Sequence, residues 1–124
     1  MTTKNKEIII DFLSSNFYEN PSIISDYLSP SARIEWNGTT GIQHLTGADF
    51  SALIAEMAKS FESLQFSLHN CIAEDNQVAI SFSYDVKTVE SEEVFPLAEF
   101  SCFWTLENNR IVQGEMMSHR SNRD

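Results

Sequence analysis

The sequence predicts an α+β domain in which three helices cover one face of a curved antiparallel sheet, in the order ααβαββββ. Three observations carry this. Apolar residues recur at helical spacing in the first half of the chain and alternate with polar ones in the second. The alternating half is cut into strands by the polar breaks EDN, ESEE and ENN. Its 124 residues, 42% of them hydrophobic, form one domain that can bury roughly 65% of its unfolded surface around a single core.

Taken in order, Ile9, Phe12, Leu13 and Phe17 fall on one face of an amphipathic helix over residues 3–19. Asn20-Pro21 then supplies an N-cap and a first-turn proline for a second helix over 22–28, stopped by Ser29-Pro30. A strand follows, ending in the turn Asn37-Gly38; Asn37-Gly38-Thr39 also matches a glycosylation sequon, which without a secretory signal reads as turn chemistry. The polar stretch TTGIQHLTG reads as a loop. Thr46 and Asp49 form a capping pair for a third helix over 47–63, with Phe50, Leu53, Ile54, Met57 and Phe61 on one face.

Alternation then marks four strands of an antiparallel meander: Phe66/Leu68, Val78 to Val86, Ala98 to Leu106, and Val112/Gly114/Met116. There is no internal repeat, low-complexity segment or linker. Residues 1–124 form the single domain, and 119–124 read as a frayed tail.

Composition removes several function classes. Eight Lys and Arg stand against 18 Asp and Glu, a net charge of -10, so nucleic acid and anionic membranes are excluded as partners. The N-terminal apolar run is three isoleucines long, neither signal peptide nor membrane span, and a cytoplasmic protein is expected. Cys71 and Cys102 are too far apart for a CxxC motif and read as buried thiols. His44, His69 and His119 lack metal-pair spacing, there is no GxSxG nucleophile motif, and no metal or cofactor is expected.

The stretch Tyr27-Leu-Ser-Pro-Ser-Ala-Arg-Ile-Glu-Trp-Asn-Gly38, then His44-Leu-Thr-Gly47 opening a helix and Arg110-Ile-Val-Gln in the final strand, resembles the nuclear transport factor 2-like superfamily. The likeness is to its SnoaL-like and ketosteroid-isomerase-like branch. It covers nearly the whole chain in element order and implies a cone-shaped, strongly curved, cystatin-like sheet with three helices on its concave side. It also implies a small-molecule pocket and a homodimer through the outer sheet face. Counting back from Gly38, it puts Glu35 at the position of a base that moves a proton next to a carbonyl, with Trp36 where a proline would stand. The family's acid partners are replaced: the oxyanion acid falls at Cys102, the tyrosine at Asp11 or Phe12, and the cyclase acid at Met116, with Glu115 one residue away on the other strand face.

On this layout the concave face carries Phe82, Tyr84, Ala98, Phe100, Cys102, Trp104, Met116 and Ser118, facing Leu53, Met57 and Phe61. Together with Trp36 these form a lining for a small, flat, apolar or aromatic ligand. Two readings of Glu35 stay open: a base in an apolar pocket walled by Trp36, Phe100 and Met116, with Tyr84, Trp36 or His44 as polar partners, or a solvated strand residue. Arg33, two residues away on the same face at roughly 7 Å, bears on which holds. Function divides accordingly between a proton-transfer enzyme of isomerase, cyclase or dehydratase type, a non-catalytic ligand-binding protein, and a dimerising interaction module. Asp85, Glu99 and Glu115 point outward, His69 lies on the outer face, and Phe103, an aromatic on that face, calls for a partner copy.

Overall fold

Two helices precede the sheet: α1, Thr2–Ser14, and α2, Ser22–Tyr27. The structure, a computed structural model, describes residues 2–38 and 41–120. Helix α1 ends five residues before the expected position 19, because serine hydroxyls take over the backbone acceptors of its last turn. Ser14 Oγ donates to the Ile10 carbonyl at 2.7 Å and Ser15 Oγ to the Phe12 carbonyl at 2.6 Å. Asn20 does not cap α2 as expected. Pro21 occupies the capping position without a side-chain bond, and Asn20 Oδ1 accepts from Ser22 Oγ at 2.6 Å instead.

Strand β1, Leu28–Gly38, is followed by a strand where the sequence reads as loop: β2, Gly41–Thr46, antiparallel to β1 with Glu35 opposite His44 and Trp36 opposite Gln43. It lies at the sheet edge with every side chain but Leu45 exposed, so it carries no burial pattern. Thr39 and Thr40 lie outside the described residues. The capping box of α3, Gly47–Ala58, forms as expected: Asp49 N–H donates to Thr46 Oγ1 at 3.1 Å and Thr46 N–H to Asp49 Oδ2 at 3.2 Å. The helix stops at Ala58 rather than 63, and Phe61 opens strand β3, Phe61–Glu74.

The meander continues as β4, Gln77–Thr88, β5, Phe95–Glu107, and β6, Arg110–Arg120. The polar breaks EDN and ENN become hairpin tips, with Asp75, Asn108 and Asn109 at φ of 54°, 53° and 67°. His119 and Arg120 belong to β6, paired with Glu99 and Ala98, rather than to a frayed tail; residues 121–124 lie outside the described residues.

The curved sheet runs β2-β1-β6-β5-β4-β3. It has one strand more than expected and is mixed: β1 pairs with β6 in parallel, and the other pairs are antiparallel. The connection through β2, α3 and the meander returns the chain beside β1 in its starting direction. Helix α1 packs on β3 and β4, and α3 on β1 and β2, leaving the core between helices and sheet.

Trp104 is the largest fully buried side chain, and one glycine makes room for it. A Cβ on Gly114 would lie 2.6 and 2.7 Å from Trp104 Cζ3 and Cε3 and 3.0 Å from Ile34 Cδ1.

Candidate functional site

Strand alternation builds the concave wall in transverse rows. Ile34, Gly114, Trp104 and Val78 form one row; Trp36, Met116, Cys102 and Ile80 form the next; Ser118, Phe100 and Phe82 form a third. Above them α1 contributes Phe12 and Leu13, the turn after it Phe17 and Tyr18, and α3 Phe50, Ile54 and Met57. They enclose a cavity of about 60 Å³ whose wall holds no charged side chain. Phe82 and Phe100 stack at 5.0 Å, and Tyr84 stands edge-on to both at 5.4 and 5.6 Å.

A second hollow of about 230 Å³ adjoins it, walled by Gly38, Gly41, Gln43, Leu53 and Ser118. Trp36 and Met57 border both spaces and so form the partition between them. Trp36 is held there by its Nε1–H, which donates to Ser118 Oγ at 2.8 Å. Gly38 permits this bond, since a Cβ there would sit 3.3 Å from Ser118 Oγ and 3.5 Å from Trp36 Nε1.

Of the lining residues expected from sequence, Trp36, Met57, Phe61, Phe82, Tyr84, Phe100, Trp104 and Met116 border the inner cavity, and Leu53 and Ser118 the outer hollow. Cys102 is buried on the same face but borders neither space, and burial pushes its thiol up to about 12, so it stays neutral. The Tyr84 hydroxyl donates to the Leu13 carbonyl at 2.6 Å, and burial holds its pKa well above the usual phenol value. It is a tie to α1 rather than a free proton shuttle. Sequence reasoning placed Phe12, Phe17, Phe50 and Ile54 on apolar helix faces but not in the lining, although their helical spacing was the signal that they faced the cone.

Glu35 is not in the cavity. Ala32, Ile34 and Trp36 take the inward positions of β1, which turns Arg33 and Glu35 to the convex face. There the Glu35 side chain is half exposed, with Oε1 3.7 Å from Nδ1 of the exposed His44. Both border an outer hollow of about 540 Å³ on that face with Arg33, Gln113 and Glu115. Neither Glu35 nor His44 therefore meets Trp36, Phe100 and Met116 across a pocket. His69 and Glu99 lie on the convex side too, with His69 Nε2 3.5 Å from Glu99 Oε1 and 3.2 Å from Ser83 Oγ. Among the described residues no three His, Cys, Asp or Glu side chains are grouped to hold a metal ion.

A curved sheet closed by three helices over an apolar cone defines a protein of the nuclear transport factor 2-like class. Within that class the chain belongs to the SnoaL-like domain family, whose model matches residues 18–114. No curated protein matches it. Among solved structures it is similar to AusH from Aspergillus nidulans, with a TM-score of 0.79 at 10% identity over 100% of this chain and 89% of that one. It is also similar to a candidate SnoaL-like polyketide cyclase from Jannaschia sp. CCS1, with a TM-score of 0.73 at 12% identity over 94% and 86% of the two chains. AclR, a candidate hydroxylase from Streptomyces galilaeus, gives 0.73 at 16% identity over 95% and 80%. At these identities the likeness establishes the fold, and the chemistries named for the neighbours differ from one another.

Proposed function

We propose that this chain is a ligand-binding SnoaL-like protein that holds a small, flat, apolar molecule in its cone. The observation that carries the reading is the cavity wall, aromatic and aliphatic throughout and without a charged group. A proton-transfer enzyme of isomerase, cyclase or dehydratase type needs an acid or base facing the ligand. Glu35 is on the opposite face of the sheet, the Tyr84 proton is committed to Leu13, and Cys102 is a neutral thiol away from the cavity. Binding therefore ranks above catalysis. Small-molecule sites span roughly 300–1,000 Å³, so an occupant larger than the inner cavity extends into the outer hollow by displacing the Trp36 and Met57 partition.

Titration with acetophenone, followed through amide proton–nitrogen correlation spectra, is expected to give saturable shifts at Phe82, Phe100 and Met116. Glu35→Gln should leave the affinity within twofold of wild type, and Met57→Arg, which places a charge at the partition, should abolish binding. No saturable shift at the cone residues overturns the binding reading; loss of binding in Glu35→Gln returns Glu35 to the site.

The convex face supports a homodimer. One row crosses all six strands as His44, Glu35, Glu115, Phe103, Ala79 and Ile72. Phe103 is 55% exposed, Ile72 69%, and Met117, one row away, 47%, so apolar area lies on the side of the sheet without helices. Phe103→Glu is expected to raise the dimer dissociation constant by roughly 30-fold, as for the loss of a central aromatic anchor. Sedimentation velocity checks this, and a monomer at high micromolar wild-type concentration sinks it. No described helix is long and apolar enough to cross a membrane. The free thiols Cys71 and Cys102 fit the reducing cytoplasm, where we place the protein.

A further inference from the structure

Trp36 borders both the inner cavity and the outer hollow, and it shows the two spaces different atoms. The surface of the inner cavity includes no polar atom, so the indole turns ring carbon toward it. Its Nε1–H donates to Ser118 Oγ at 2.8 Å, and Ser118 borders the hollow and not the cavity. The hydrogen bond therefore lies on the hollow's side of the partition.

The other contacts of the indole are non-directional. Phe50 and Phe100 stand at centroid distances of 6.2 and 6.3 Å, tilted by 55° and 47°, so neither ring stacks on it. A Cβ on Gly38 would lie 3.5 and 3.8 Å from its Nε1 and Cδ1, so the glycine puts no side chain against that edge. Met57, the other half of the partition, is 37% exposed and has the unbranched, adaptable chain of a methionine. One directional bond among soft contacts holds the indole across the cone. The closed cavity is also small: an apolar cavity that takes up benzene is roughly 150 Å³, against about 60 Å³ here.

We propose that the Trp36–Ser118 hydrogen bond is a latch on the cone. Trp36 is the leaf that turns aside for a ligand too large for the inner cavity, and Ser118 is the positioning residue that sets how often the leaf is open. The inference rests on the ligand-binding reading above and adds the control of entry. Apparent affinity falls with the fraction of molecules in the open form. The latch stabilises the closed form alone, so removing it should strengthen binding, whereas removing an ordinary wall contact weakens it.

Ser118→Ala tests this, with acetophenone as the large probe and xenon as the small one. Acetophenone is expected to bind Ser118→Ala roughly fivefold tighter than wild type, the size of one net hydrogen bond. The gain should lie in the association rate, with dissociation within twofold, because the bond is absent from the bound form. Lineshapes of the Phe82 and Phe100 amide resonances during titration separate the two rates. Xenon, a single atom of a kind that apolar cavities take up, fits with the leaf shut and should bind both forms within twofold. If Ser118→Ala does not fold, Trp36→Phe, which keeps a ring and deletes the donor, carries the same expectation for acetophenone. Equal or weaker acetophenone binding by the variant overturns the latch and leaves the cone as a fixed ligand pocket. An equal gain for xenon overturns it too, since the substitution has then enlarged the cavity rather than freed the leaf. Acetophenone binding by neither form overturns both readings.

Discussion

Gly114→Val should lower the unfolding free energy by about 3 kcal/mol and the melting temperature by roughly 10 °C, more than any surface substitution in this chain. The obstacle is a ring rather than a flexible chain end. Trp104 Cζ3 and Cε3 would be 2.6 and 2.7 Å from the first added carbon, with Ile34 Cδ1 at 3.0 Å on the other side. The indole cannot swing away, because Phe12 is packed edge-on against it. Gly114 is not among the glycines with positive φ, so the penalty comes from packing and not from the backbone. Gly114→Ala should therefore already be destabilised, and Trp104→Leu in the same chain should recover part of the loss, since the two sites share one volume. Thermal melts of the three variants check this; a Gly114→Ala protein that melts with wild type would show that the indole does not rest on the glycine.

Phe12→Ala is expected to remove about 4 kcal/mol, within the range for deleting a buried phenyl ring whose neighbours cannot close in. Phe12 is 1% exposed and touches three other rings, Phe17 at 5.7 Å, Tyr27 at 5.2 Å and Trp104 at 6.3 Å. It joins α1 and the turn after it to the sheet through a single side chain. Urea unfolding measures the loss. A value under about 1 kcal/mol would mean that α1 adjusts over the cavity as a loose cover, since that is far below the range for a rigid core site.

The fold was legible where side chains are buried on one side. Ile9, Phe12, Leu13 and Phe17 announce the face that α1 and its following turn present to the core, and Phe82, Tyr84, Phe100 and Trp104 announce the inner face of the meander. The Thr46/Asp49 pair marks the start of α3 because capping is a local interaction. Elements without such contrast were not legible. Strand β2 is an edge strand whose side chains meet water on both faces, so Gln43 and His44 look like loop residues. Phe61 stands four residues after Met57, a spacing that suits a continuing helix as well as a new strand. The parallel pairing of β1 with β6 is a relation between distant segments, and periodicity within either one does not encode it.

The site was legible in its apolar part and misplaced in its polar part. Alternation splits β1 into Arg33, Glu35 and Asn37 on one side and Ile34 and Trp36 on the other, and hydrophobicity sends the second set inward. Counting back from Gly38 to a family position drew Glu35 into the pocket against that preference. Trp104 was read as lining, but that its Nε1–H finds no acceptor among the described residues is a matter of three-dimensional packing that no linear pattern records.

The pairing of β1 with β6 also sets the order in which this chain can assemble. The hairpins β1–β2, β3–β4, β4–β5 and β5–β6 each join neighbours in sequence, whereas the Trp36–Ser118 contact closes a span of 82 residues. Closing so long a loop is entropically uphill until its contacts form, and such closures slow folding. During synthesis α3 can pack on β1 and β2 early, with Phe50 against Trp36, but the β6 side of β1 stays open until the final strand is made. The join of β1 to the meander is therefore the last part of the cone to close, and a chain shortened before Arg110 loses that join together with Met116 and the Ser118 acceptor of Trp36.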